Sequence, residues 1–204
     1  MADKITVDFW FDPVCPWAWM TSRWIDEVAK YRDFDLTWHI MSLGLLNENR
    51  EDVPERYKTF AQRSMQLGKV VAGVGQELGP EKVKELYDAL GTRIHVEGRG
   101  SDDDTVLPEA VAEVGIPQEI VDRAAAGEFD AVYGASHEDG IGRVGEDVGT
   151  PVIAVDGVAF FGPVISPAPK GEEAVRLFDG VVMAASYDGF FELKRSRTRG
   201  PVFD

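Results

Sequence analysis

The first thirty residues constrain the fold most, because the hydrophobic period changes once within them. Ile5, Val7, Phe9 and Phe11 alternate with Thr6, Asp8 and Trp10, the period-2 pattern of a strand. Asp12-Pro13 breaks the alternation, and from Trp17 onward Met20, Trp24, Ile25 and Val28 recur at helical spacing. Pro16 stands in the first helical turn, where a missing N–H costs little because those amides have no intrahelical partner. Cys15, the only cysteine of the chain, is therefore expected at a strand-to-helix junction. Unpaired amides and the positive end of the helix dipole favour a thiolate there. A lone cysteine is most simply a small buried hydrophobe; the proline after it, the aromatic flanks and the helix entry point instead to a reactive thiol.

Along the rest of the chain, Phe34–Ser42 alternates Leu36, Trp38 and Ile40 as a second strand, parallel to the first because a helix supplies the crossover. A helical block follows. Pro54–Leu78 ends at Gly79-Pro80, and Glu81–Val96 carries Val83, Leu86, Tyr87, Leu90 and Ile94 on one face. The polar loop 98–104 leads to two short helices, Pro108–Val114 and Pro117–Ala126, each opened by a proline. A further helix over Phe129–Val148 is weakened by Gly134, Gly140, Gly142 and Gly145. Sheet signals then return: Pro151–Val155, the Asp156-Gly157 hairpin turn, and Val158–Phe161. A proline-rich loop and a helix over Glu172–Ser186 complete the order, and the basic tail Lys194–Arg199 is expected to be mobile.

Lys and Arg number 21 against 36 Asp and Glu, a net charge of −15 that argues against nucleic acid and anionic membrane as partners. One cysteine allows no internal disulfide. The start MADKITVDF has no basic segment followed by an apolar core, and no apolar run reaches the roughly 20 residues of a spanning helix, so a soluble cytoplasmic protein is expected. No group of His, Cys or Asp has metal-ligand spacing, and GRGSDDD lacks the spacing and closing glutamate of an EF-hand loop.

The order βαβ, helical block, ββα is that of an α/β, thioredoxin-like fold with a large α-helical domain inserted. Residues 1–45 and 147–204 would form the thioredoxin-like domain, and 46–146 the inserted lid. A cytosolic C-x-x-C beside a βαβ pattern reads as a redox motif of that fold. This chain has Cys15-Pro16-Trp17-Ala18, with alanine where a second thiol would stand. In such folds a cis-proline opens the third strand beside the reactive sulfur, and Gly149-Thr150-Pro151 occupies that place. Thr150 would then offer its backbone amide and carbonyl to a peptide-like or thiol substrate in the manner of an added strand. The plain alternative is an ordinary strand-initiating proline.

Three segments carry a family resemblance: Phe11-Asp12-Pro13-Val14-Cys15-Pro16-Trp17, Gly149-Thr150-Pro151, and Phe161-Gly162-Pro163 with Pro167-Ala168-Pro169-Lys170-Gly171. Together they resemble the DsbA-like thiol oxidoreductases, nearest the actinobacterial mycothiol-dependent reductases (nitroreductases), over essentially the whole chain. The resemblance implies a cytoplasmic reductase in which Cys15 attacks, with mycothiol as electron donor and no metal or nucleotide. It also places Pro16, Trp17, Thr150, Pro151, Asn47, Tyr57 and His95 as residues that bind the thiol or the disulfide or electrophilic substrate. The family motif is CPWC, so Ala18 marks a lost resolving position. Either the protein works by a monothiol route, or Ala18 is an engineered substitution that traps a mixed disulfide.

Trp17 is expected exposed over the site, where it could stack on a flat substrate, while Trp19 and Trp24 face the core or the insert. Trp10 and Trp38 are packing residues of strands, and His39 and His137 are structural or surface residues. His95 closes an insert helix beside a flexible loop, so it could face the cleft, though a cation at a helix C-terminus is favourable in itself. Two rival functions stand beside the reductase. The kappa-class glutathione transferases and 2-hydroxychromene-2-carboxylate isomerases share the same element order and bind a thiol cofactor without net redox change. A non-catalytic module for thiol-containing ligands is the other. The oligomeric state is left open by the sequence.

Overall fold

The computed structural model describes residues 4–48 and 55–203. Its organising element is a buried central strand, β1 (Ile5–Phe11), which feeds directly into helix α1 (Pro16–Val28) and returns along strand β2 (Phe34–Ile40). Strands β3 (Val152–Val155) and β4 (Val158–Phe161) complete a sheet of order β2-β1-β3-β4. β1 and β2 run parallel, with Ile5 opposite Phe34 and Phe11 opposite Ile40, as the intervening helix requires. β3 is antiparallel to β1, with Phe9 opposite Ile153, and β4 is antiparallel to β3. The hairpin turn uses Asp156 at φ 48° and Gly157 at φ 85°, the left-handed pair a two-residue turn demands. Asp156 also accepts a hydrogen bond from the Thr6 amide at 2.9 Å, which fastens the hairpin tip to the start of β1.

Between β2 and β3 lie α2 (Leu43–Leu46), α3 (Glu55–Leu78), α4 (Pro80–Gly91), a π-helical turn (Thr92–Val96), α5 (Val106–Val114), α6 (Gln118–Ala125) and α7 (Asp130–Val144). Helix α8 (Gly171–Ala185) follows the sheet and packs beside α1. The expected helix start at Pro54 lies outside the described residues. The other helices match their expected places with shifts that have local causes. α5 begins two residues before Pro108, because the first four amides of a helix are unpaired and a proline is tolerated at the third position. Pro117 caps α6 rather than opening it. The helix expected over Glu81–Val96 is regular only to Gly91 and then widens into the π turn. α7 stops at Val144, not Val148, at Gly145 with φ 88°.

Period 2 in β1 sorts its side chains into two cores. Val7, Phe9 and Phe11 enter the main core with α1, α3, α4 and α8, while Trp10 joins Met41, Ile141, Val152 and Ala154 on the opposite face. Phe11 stacks on Tyr87 of α4 at 3.8 Å between ring centroids, and Trp19 meets Tyr87 edge-on at 5.6 Å. Trp24, fully buried, donates its indole N–H to the Ala174 carbonyl at 2.9 Å and ties α1 to α8.

Close approach explains two glycines that weaken helix propensity. Gly140 of α7 lies against the Trp10 ring, and Gly91 at the end of α4 lies against Trp19. A methyl group on Gly91 would penetrate the indole of Trp19, which is itself buried between α1 and the insert. Gly91→Ala is expected to destabilise the fold by about 1–3 kcal/mol, the range for overpacking a tight core. Urea unfolding monitored by tryptophan fluorescence measures it; an unchanged midpoint would show that Trp19 has room to move.

Candidate functional site

The site grows from the turn between β1 and α1. Cys15 is the N-cap of α1 in extended conformation, φ −82° and ψ 112°, and its amide donates to the Asp12 carbonyl at 3.0 Å. Its sulfur accepts the Ala18 amide at 3.5 Å, one of the orphan first-turn donors, and the thiol donates to the Thr150 carbonyl at 3.5 Å. The peptide bond between Thr150 and Pro151 is cis, as are Gly162-Pro163 and Ser166-Pro167. Thr21 of α1 donates to the Pro163 carbonyl at 2.7 Å, which holds the proline-rich loop against the same helix.

The electrostatics differ from the sequence expectation. Cys15 is only 4% exposed, and burial pushes its thiol above the ordinary value, while the Thr150 side chain and the Ala18 amide act the other way. The negative charge of Asp12 raises it further. The helix start supplies the expected amide, but removal from water outweighs it. In this conformation the sulfur is a covered thiol, not a standing thiolate.

Trp17 and the tail meet beside this turn. Trp17 is half-buried rather than exposed, with the Arg197 guanidinium 4.9 Å from its ring centre. Of the tail expected to be mobile, 194–199, Arg197 makes this contact while the segment is exposed, and the residues after it pack across this end of the protein. The Ser166 hydroxyl donates to the Gly200 carbonyl at 2.9 Å and accepts the Val202 amide at 2.9 Å. Phe203 then stacks on His95 at 5.6 Å.

His95 is 7% exposed, carried inward by the π turn, and its Nε2 donates to the Pro13 carbonyl at 2.9 Å. Burial lowers its pKa to about 4, partly offset by that hydrogen bond, so the ring is neutral at pH 7. It braces the cysteine turn from the insert side. His137 and His39 are structural: the first accepts the Ser42 amide at 3.2 Å, and the second pairs with Asp8 at 2.8 Å.

Cys15, Pro16, Trp17, Thr150, Pro151 and His95 thus surround one turn, and Ala18, fully buried, presents its amide to the sulfur. Asn47 and Tyr57 lie apart from it. They line a cavity of about 280 Å³ with Leu43, Phe60 and Met65, where Asn47 donates to the Leu43 carbonyl at 2.7 Å. Leu43 is the link between the two places, since its side chain lies against Gly149 and its amide donates to Asp12. Sequence reasoning missed Asp12, Ser64, Thr21 and the tail residues Arg197 and Phe203; of these only Asp12 stands inside the FDPVCPW motif that was singled out. Among the described residues no group of His, Cys, Asp and Glu is arranged to hold a metal, and no helix is long and apolar enough to cross a membrane.

A sequence profile of the Rv2466c-like family, described as mycothiol-dependent nitroreductase Rv2466c, matches residues 14–195. An uncharacterized protein of Mycobacterium tuberculosis, Rv2286c, is 29% identical over 201 residues, covering 97% of this chain and 84% of the relative. Among solved structures, the probable DsbA oxidoreductase SCO1869 of Streptomyces coelicolor superposes with a TM-score of 0.59 at 14% identity, covering 98% of this chain and 94% of that one. The cytosolic disulfide reductase DsbM of Pseudomonas aeruginosa, solved with GSH, gives 0.56 at 16% identity, over 87% of this chain and 99% of the other. At such identities these two carry the fold alone, a thioredoxin-like α/β fold of the DsbA kind.

Proposed function

The chain belongs to the Rv2466c-like family of mycothiol-dependent nitroreductases, a family of thioredoxin-fold oxidoreductases, and on that premise we propose that it reduces disulfide or electrophilic substrates through a mixed disulfide at Cys15, with mycothiol as electron donor. The carrying observation is the sulfur at the α1 N-cap, between the Ala18 amide and the Thr150 carbonyl, with no second cysteine in the chain. The steps balance without one. The Cys15 thiolate attacks one sulfur of the substrate disulfide, forms a mixed disulfide and expels the other half as thiolate. A first mycothiol attacks on the Cys15 side, leaves Cys15 bonded to mycothiol and releases the second substrate thiol. A second mycothiol attacks the mycothiol sulfur, regenerates Cys15 and leaves oxidised mycothiol.

Supporting this, the Thr150 hydroxyl is buried and makes no hydrogen bond of ordinary geometry among the described residues, while its side chain acts on the Cys15 sulfur, so a bound thiol could take up that polar atom. In this reading Pro16, Trp17, Thr150 and Pro151 form the groove at the sulfur, and His95 fixes its turn. Asn47 and Tyr57 hold an outer part of the ligand in the 280 Å³ cavity. Residues 46–146 act as the lid domain, and the setting is cytoplasmic, where small thiols keep cysteines reduced. Incubation with mycothiol and a disulfide substrate should give oxidised mycothiol, and Cys15→Ser should lower that turnover by about a thousandfold or more. Turnover that survives Cys15→Ser would refute the reading. The buried Ala18 favours one rival, transfer or isomerisation without net oxidation; conjugate or isomer formation with no oxidised thiol would decide for it.

A further inference from the structure

We propose that Asp12 is a positioning residue for Cys15: its buried carboxylate ties the cysteine turn to the helical insert, and its charge tunes the reactivity of the sulfur. The inference rests on the reading of Cys15 as the reacting group but not on mycothiol. Asp12 is completely buried, and its two oxygens are shared between the two sides of the protein. Oδ1 accepts the Val14 amide at 3.0 Å, inside the turn that ends in Cys15. Oδ2 accepts the Leu43 amide at 2.7 Å and the Ser64 hydroxyl of α3 at 2.5 Å. Ser64 in turn accepts the Gly44 amide at 3.0 Å and lies 3.3 Å from the Ser42 hydroxyl. A carboxylate in such a place is costly to bury and is retained by several donors at once.

No lysine or arginine pairs with Asp12 among the described residues. The ionisable groups around it are Cys15 on its own turn, Tyr133 and His137 of α7, and His95 behind Pro13. His137 accepts the Ser42 amide through Nδ1 and is kept neutral by burial, with Glu138 beside it acting the other way. Tyr133 is buried near Ser42 and Ser64, though its hydroxyl makes no hydrogen bond of ordinary geometry. With no cation to neutralise it, the Asp12 charge acts on the sulfur through the buried interior and raises its pKa. Burial raises the Asp12 pKa to about 6, against the pull of the Ser64, Leu43 and Val14 donors, so this charge is gained near neutral pH. The sign follows directly. Below that value Asp12 is neutral and favours ionisation of Cys15; above it the two negative charges oppose each other.

The test is the rate of Cys15 alkylation by iodoacetamide against pH, in the full chain with no mycothiol present. The wild-type logarithmic profile should show a step near pH 6 in addition to the rise governed by the thiol. Asp12→Asn should remove the step and react about tenfold faster at pH 8, the change expected for roughly one pKa unit at the sulfur. Ser64→Ala is the second variant, and it preserves the carboxylate. Losing the hydroxyl donor should move the step to higher pH and leave the thiol rise where it was. A carboxylate with a merely structural role would give one-step profiles in all three proteins, and that result overturns the proposal. So does a step that survives in Asp12→Asn. Failure here leaves disulfide turnover at Cys15 standing, because alkylation needs only the sulfur.

Discussion

Ala18→Cys is expected to close an internal disulfide with Cys15 and to convert a monothiol protein into a dithiol one. Ala18 occupies the third position of α1 with 0% exposure, and its amide already lies 3.5 Å from the Cys15 sulfur. Residues three apart across a first helical turn lie on one face, so the new sulfur is carried toward the old one. A mixed disulfide at Cys15 would then be attacked from within the protein. Well-placed intramolecular attack corresponds to effective concentrations up to roughly 10⁵ M or more, so release should accelerate by orders of magnitude over millimolar external thiol. Mixing either protein with a chromogenic disulfide measures the difference. The present chain should hold a stable adduct until more thiol is added, whereas the Ala18→Cys variant should release both halves at once and lose two hydrogens from its own mass. A stable adduct on the variant would show that position 18 does not face the sulfur in solution.

The second large effect is expected from the tail. Its attachment consists of the two hydrogen bonds of the Ser166 hydroxyl, the Arg197–Trp17 contact and the Phe203–His95 stack. Each is worth about 0.5–1.5 kcal/mol, and the entropy of ordering the segment cancels part of the sum. A net cost of about 2 kcal/mol for lifting the tail corresponds to roughly thirtyfold in the population of the uncovered state. Deleting residues 194–204 should therefore raise the alkylation rate of Cys15 by about that factor, and Arg197→Ala alone by a few-fold. A rate unchanged by the deletion would mean that Val14, Ala18 and the insert close the sulfur by themselves.

The sheet and its flanking helices were legible because their signals are local. The change of period at Asp12-Pro13 marks the β1–α1 junction, and Asp156-Gly157 marks the β3–β4 hairpin. The parallel register of β1 and β2 followed from the crossover helix between them. Helix starts were less legible: Pro108 sits inside a first turn and Pro117 just before one, and both placements satisfy the same orphan-amide rule. The site was legible only in part. The positions of Cys15, Thr150 and Pro151 could be read, but not the burial that raises the thiol, since that cover comes from segments distant in the chain. Asp12 looks in sequence like a turn residue before a proline. Its partners Leu43 and Ser64 lie 31 and 52 residues further on, beyond any periodic signal. The tail over 194–203 shows only basic charge and one aromatic, Phe203, the pattern of a solvated end, and its anchors are a single hydroxyl and two ring contacts.

Everything proposed for this chain requires that one covered sulfur can be reached and can exchange. Intact mass after incubation of the native protein with oxidised mycothiol tests this most directly. The account predicts a single mycothiol adduct, located at Cys15 and removed again by reduced mycothiol. A native protein that stays unmodified, while the unfolded chain takes up the adduct, would contradict it.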